Sequence, residues 1–150
     1  MDEEINDEIS NDETSEEINE NILQSIKLML GLMPNDTSFD SVIVMHINST
    51  FLDLQQLGVG PEDGFSLDNS NSKWEEFIPK GPLLNAVKPY VYLNVKMLFD
   101  PPTNTATIDS INRQIARIEW RISIETEAEK IDSKGDEPDE DLEQEENQNE

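Results

Sequence analysis

Three places in the chain bring together residue types that do chemistry elsewhere, and each lacks a necessary part. His46 is the only histidine and there is no cysteine, so a hydrolytic triad has a single candidate base and no thiol nucleophile. His46 also falls near the apolar face of a helical pattern, where an imidazole with one hydrogen-bond partner is a packing residue. Gly58-Val59-Gly60 lacks the third glycine, the preceding strand and the following Lys-Ser/Thr of phosphate-binding loops. Asp68-Asn69-Ser70-Asn71-Ser72 sets oxygen ligands at alternate positions, as a calcium loop does. Its sixth position, however, is Lys73 where glycine is needed, and its twelfth is Pro79 where the bidentate glutamate belongs. The sequence therefore predicts no catalytic, cofactor-binding or metal site, and a protein that is not an enzyme.

What remains chemically distinctive is suited to contact. Trp120 stands among Arg113, Arg117 and Arg121, with Ile124 one turn further on. Tryptophan and arginine are the side chains most enriched where interfaces concentrate their energy. At 100° per residue these five share one side of a helix. The same residues also fit a helix buried on both sides within one subunit, or arginines paired with the acidic segment beyond Glu125. Val44, Met45 and Leu52 lie off the main apolar stripe of an earlier helix and form a second candidate surface. Pro61 and Phe65 belong to a turn-rich loop over residues 58–72.

The elements that must position these residues occupy only part of the chain. Of the 150 residues, the first twenty hold ten acids and no base, and residues 125–150 hold thirteen acids and two lysines. The net charge of −24 is thus concentrated at the ends, where apolar residues are too sparse to offset the entropy of ordering. Residues 1–17 and 128–150 read as disordered acidic termini, and residues 18–127 as one helical domain. So acidic a chain does not bind DNA directly through three arginines. Dense carboxylates can mimic nucleic-acid phosphate, and charge repulsion in an assembly component is the plainer use. Met1-Asp2-Glu3-Glu4 reverses the order of a secretion signal, and no apolar run is long enough to span a membrane.

Within the domain the periodicities predict an all-α bundle of four to five helices with one long irregular loop. Ile18, Ile22, Ile26, Met29, Leu30 and Met33 describe a first helix closed by Pro34. A second, capped by Asp36 or Thr37, carries Phe39, Val42, Ile43, Ile47, Thr50, Phe51, Leu54 and Leu57 on one face and ends at Gly58. A brief helix over residues 73–78, with Ser72 as cap, presents Trp74 and Phe77. From Leu83 to Phe99 the chain is apolar on nearly every side, as a central helix is. Pro89 requires either that regular helix begin near Ala86 or that it kink. After Asp100-Pro101-Pro102 a last helix runs from about Asn104 to Thr126, with Ile108, Ile111, Ile115, Ile118 and Ile122 as its core stripe.

Taken in order, several of these pieces resemble the head-to-tail connector, or head-completion adaptor, proteins of long-tailed bacteriophages, particularly those infecting Gram-positive bacteria. They are Ile22-Leu23-Gln24-Ser25-Ile26-Lys27-Leu28-Met29-Leu30-Gly31, Ile47-Asn48-Ser49 leading to Leu57-Gly58-Val59-Gly60-Pro61, and Trp74 with Phe77. Tyr92-Leu93-Asn94-Val95-Lys96-Met97-Leu98-Phe99-Asp100-Pro101-Pro102 and Ile118-Glu119-Trp120-Arg121 complete the set. The resemblance covers about residues 19–125; the acidic N-terminal extension and Pro89 depart from it. It implies a structural virion protein of the neck, assembled in the host cytoplasm and forming a homo-oligomeric ring, typically a dodecamer, under the portal protein. It further implies a platform for a downstream neck, stopper or tail-completion protein, with packaged DNA passing through the ring without specific binding and no membrane involved. Carried onto this chain, it makes the last helix, with Trp120 and its arginines, and the segment after it the contact to the portal or a neighbouring adaptor, and the loop over residues 58–72 a candidate contact to a neighbour or to the downstream neck protein. Two other classes remain open: an acidic DNA mimic that inhibits a host nucleic-acid-binding partner, and an assembly chaperone absent from the virion.

Overall fold

Six helical segments build the computed structural model, which describes residues 15–68 and 71–134. In chain order they are α1 (residues 15–20), α2 (Ile22–Met29), α3 (Asp40–Gln56), α4 (Trp74–Phe77), α5 (Pro82–Phe99) and α6 (Thr105–Lys134). The protein is all-α, and its only β-type pairing among the described residues is one isolated bridge between Asn21 and Lys73.

That bridge explains why the first apolar repeat is two helices. Asn21 is extended, its side chain accepts from the Gln24 N–H at 2.8 Å, and it thereby caps α2. The Ile22 N–H, left without an intrahelical acceptor, donates to the Ser72 carbonyl at 3.0 Å. The helix then stops at Gly31, before Pro34. Leu32 N–H donates to the Lys27 carbonyl and Gly31 N–H to the Leu28 carbonyl, a Schellman ending that requires the left-handed backbone of Gly31 (φ +81°). Gly58 closes α3 in the same way, with Val59 N–H reaching the Leu54 carbonyl at 2.9 Å and both side chains buried.

The N-terminus of α3 differs from expectation. The helix begins at Asp40 with Phe39 in the cap position and no side-chain cap bond, while Asp36 instead accepts from the Ser38 N–H at 3.0 Å. Asp40 is held back by a pairing that sequence periodicity does not register. The Lys27 ammonium, fully buried, lies 2.7 Å from its carboxylate and donates to the Pro34 carbonyl at 2.9 Å. One cation thus fastens the α2–α3 connection at two points. Ile43, Ile47, Thr50, Phe51 and Leu54 form the buried face of α3, whereas Phe39 and Val42, expected there, are exposed. Phe39 meets Phe99 edge-on at 5.4 Å.

Phe51 sits in an aromatic cluster, stacked on Phe77 at 4.4 Å and edge-on to Phe65 and Trp74. Trp74 donates its indole N–H to the Ser25 hydroxyl at 2.9 Å, and that hydroxyl donates to the Ile22 carbonyl. The polar atom that Trp74 carries into the core is therefore satisfied. The short helix α4 is capped at Lys73, one residue later than predicted. Next, α5 starts at Pro82, whose missing N–H costs nothing at the first helical position, and continues through Pro89. The start near Ala86 is thus excluded; residue 89 only withholds a hydrogen bond from the Asn85 carbonyl one turn back. α5 packs most extensively against α6 and α3 and is the centre of the bundle. The last helix continues to Lys134, so the segment expected to begin the acidic tail at residue 128 opens as helix, and residues 15–17 of the expected N-terminal extension are helical too. Residues 1–14 and 135–150 lie outside the described residues, as do Asn69 and Ser70 of the calcium-like run.

Candidate interaction faces

The joint after α5 sets the first face. Asp100 is non-helical (φ −143°, ψ 72°), as a residue before proline must be, and the Asn104 side chain then accepts from Ala106 N–H at 2.8 Å to cap α6. Along α6, Ile108, Ile111, Ile115 and Ile118 are half-buried, and only Ile122 and Thr126 are fully enclosed. Thr126 donates from its hydroxyl to carbonyls of its own helix and lies 3.3 Å from the Leu57 carbonyl, which ties this end of α6 to the end of α3.

Opposite the isoleucine stripe, Arg113, Arg117 and Arg121 are exposed, Trp120 is 66% exposed and Ile124 45%. No ion pair joins these arginines to any other described residue. The structure thus brings all five residues to one outward face, and it adds Ile131, 72% exposed and two turns beyond Ile124. Sequence reasoning ended the helix at Thr126 and so missed Ile131, although the seven-residue step from Ile124 was the signal.

A second outward face lies on α3. Val42, Met45 and Leu52 recur at steps that place them opposite the buried stripe, and Met45 and Leu52 are 59% and 60% exposed. Val44, grouped with them in sequence, turns partly inward and packs against the core. His46 is half-buried on the flank of α3.

The loop after α3 is fixed from within. Asn48 clamps Leu67 twice, accepting from its N–H at 2.7 Å and donating to its carbonyl at 3.3 Å, and Leu67 is buried. Phe65 packs against Phe51 and Phe77, so its ring anchors the loop from the core side. Gly60 passes so close to Phe77 that a Cβ would lie 2.5 Å from the ring, in a left-handed conformation as well. The result is a presented turn with Pro61, Glu62 and Asp63 exposed and closed by Gly64 N–H to the Pro61 carbonyl. Beside it, residues 58–61, the Phe77–Leu83 segment and Glu129 line an open groove of about 500 Å³.

Several titratable groups are shifted by their surroundings. The Tyr90 hydroxyl is pushed up to about 12, first by burial and then by Glu119 and Asp53. Burial, followed by nearby Lys80, lowers Lys88, which sits 5.7 Å above the Trp74 ring. Glu20 is held below the usual carboxylate range by hydrogen bonds from Lys73 and Lys80. Among the described residues no group of three histidine or acidic side chains converges as metal ligands would, and no helix is long and apolar enough to cross a membrane.

Compared with known proteins, residues 22–129 match a family model described as phage connector protein. No curated protein and no solved structure matches the chain. The matched span runs from the first residue of α2 to Glu129 in the last third of α6, and so contains the outward face of α3 and that of α6 as far as Ile124, but not Ile131.

Proposed function

Because the chain belongs to the phage connector protein family, a family of structural proteins, we propose that it is a head-to-tail adaptor that forms a ring beneath the portal protein of the virion. In this role it extends the DNA channel and offers a docking platform to the next neck or tail-completion protein. The observation that carries the reading is the family match over α2 to α6. It is supported by the two exposed apolar faces, since a subunit that closes a ring needs one surface for each neighbour. The exposed turn at Pro61, Glu62 and Asp63, rigidly backed by Phe65, serves as a further contact to a neck component. A ring of twelve copies is expected from the likeness described above, and its lumen passes DNA without gripping it. The acidic character of the chain fits that, because like charge disfavours adhesion to phosphate.

Mass spectrometry of purified particles tests this directly. The chain is expected at about the copy number of the portal protein, and particles lacking it would remove the adaptor reading in favour of an assembly factor.

A further inference from the structure

The two outward faces match each other in length, apolar content and charge, and we infer that the outer face of α6 of one copy docks antiparallel on the outer face of α3 of the next. This rests on the ring reading and specifies its subunit contact.

α5 is the main packing partner of both helices, and each face lies opposite the buried stripe of its own helix. They are different surfaces of one subunit. A contact between them is heterologous, the kind that propagates around a ring instead of stopping at a dimer. On α3 the apolar stripe runs from Val42 to Leu52, about 15 Å of helix; on α6 it runs from Trp120 to Ile131, about 16 Å. In antiparallel register Val42 faces Ile131, Met45 faces Ala128, Ser49 faces Ile124 and Leu52 faces Trp120. In the two central pairs a small residue meets a large one, which lets the helix surfaces approach, and the outer two pair apolar side chains with each other.

Charge selects the direction. The exposed arginines Arg113 and Arg117 lie on the N-terminal side of Trp120, and the exposed acids Asp53, Glu62 and Asp63 lie beyond Leu52 at the other end of the α3 stripe. None of these side chains has an ion-pair partner among the described residues. Antiparallel docking brings the two sets together. The parallel alternative would set Asp132 and Glu129 beside Asp53, like charge on like.

The chain has no cysteine, so introduced thiols report cleanly. Particles carrying Ser49→Cys with Ile124→Cys, or Met45→Cys with Ala128→Cys, are treated with a short bismaleimide and resolved under denaturing conditions. The expected result from either pair is a ladder of covalent multimers, with each single-cysteine variant remaining monomeric. A dimer from Ile124→Cys alone would set α6 against its own copy and overturn the inference. A ladder from Leu52→Cys with Ile131→Cys, in place of the two expected pairs, would overturn the antiparallel direction. If the chain is present in particles but neither pair gives a ladder, the contact is wrong and the adaptor reading stands. If wild-type particles lack the chain, the adaptor reading itself fails, and the contact falls with it.

Discussion

Helices α5 and α6 adjoin across one short turn, and they spend their apolar residues in opposite ways. α5 buries Leu84, Ala86, Val87, Tyr90, Val91 and Val95 within 18 residues. α6, at 30 residues, fully encloses only Ile122 and Thr126 among its described side chains, yet it carries Trp120, Ile124 and Ile131 to the surface. The first helix is part of the fold's own core. The second is fastened to the fold at one end and along one edge, and its remaining apolar surface has no use within the subunit. Contiguous exposed apolar side chains of this kind mark a surface that meets another molecule.

The contrast breaks most visibly if α5 tolerates charge. Val91 is fully buried at the centre of α5, and Val91→Asp would strand a carboxylate there without a partner. A loss of about 4 kcal/mol or more is expected, which leaves the purified chain largely unfolded by circular dichroism. Buried and exposed cations make the same comparison in another place. Lys27→Met removes the one ion-pair partner that Asp40 has among the described residues, and a loss of about 3 kcal/mol is expected by thermal denaturation because the pair is enclosed on the lysine side. No such penalty attaches to Arg117, whose charge already faces water.

Within α6 the division can be sharpened residue by residue. Ile122→Ala opens a cavity at an enclosed site and is expected to cost about 2–3 kcal/mol, whereas Ile115→Ala, at a half-buried one, is expected to cost about 1 kcal/mol. Equal losses in urea titrations would mean that the whole isoleucine stripe is core, and α6 would lose its distinction from α5. A smaller effect appears at high pH. Tyr90 is held neutral by burial and by Glu119 and Asp53, with its ionisation pushed up to about 12. The unfolded chain releases this proton near pH 10, so the contribution is intact below pH 10 and is lost as pH rises from 10 to about 12. Tyr90→Phe should flatten that part of the stability profile relative to wild type.

Much of this contrast was legible in the sequence, and the parts that were not have identifiable causes. Period and proline punctuation mark both helices and their joint, because Asp100-Pro101-Pro102 cannot continue a helix. Period alone also separates the two faces of α6 at Arg113, Arg117, Trp120, Arg121 and Ile124. It fails at Phe39 and Val42, where an apolar residue on the edge of the stripe turns outward; the Phe39 ring meets Phe99 at the end of α5, a pairing that period does not register. It fails at Val44 for the converse reason. Phe65 looks like a loop residue until Phe51 and Phe77 are brought beside it by chain segments far apart in sequence. Lys27 reads as an ordinary surface lysine on an amphipathic helix; only the fold reveals that its head meets Asp40 and the Pro34 carbonyl. The extension of α6 to Lys134 was hidden by composition, since acidic residues suggest a tail whether or not they are helical.

The smallest expected effect on stability is also the most discriminating. Trp120 is 66% exposed and makes no ring contact with another aromatic side chain among the described residues. Trp120→Ala should therefore change unfolding free energy by no more than about 0.5 kcal/mol, as surface substitutions do, and leave helicity unchanged. A large tryptophan at the centre of an interface is nevertheless worth about 2 kcal/mol or more when truncated. The same substitution should then yield filled heads without tails, visible by electron microscopy. Unfolding of the variant would place Trp120 in the core with Val91 and erase the difference between the two helices. Normal stability with normal particles would leave the difference in place but deprive the outer face of its partner. Only normal stability with failed assembly is consistent with a helix whose two sides serve separate ends, one the subunit and the other the ring.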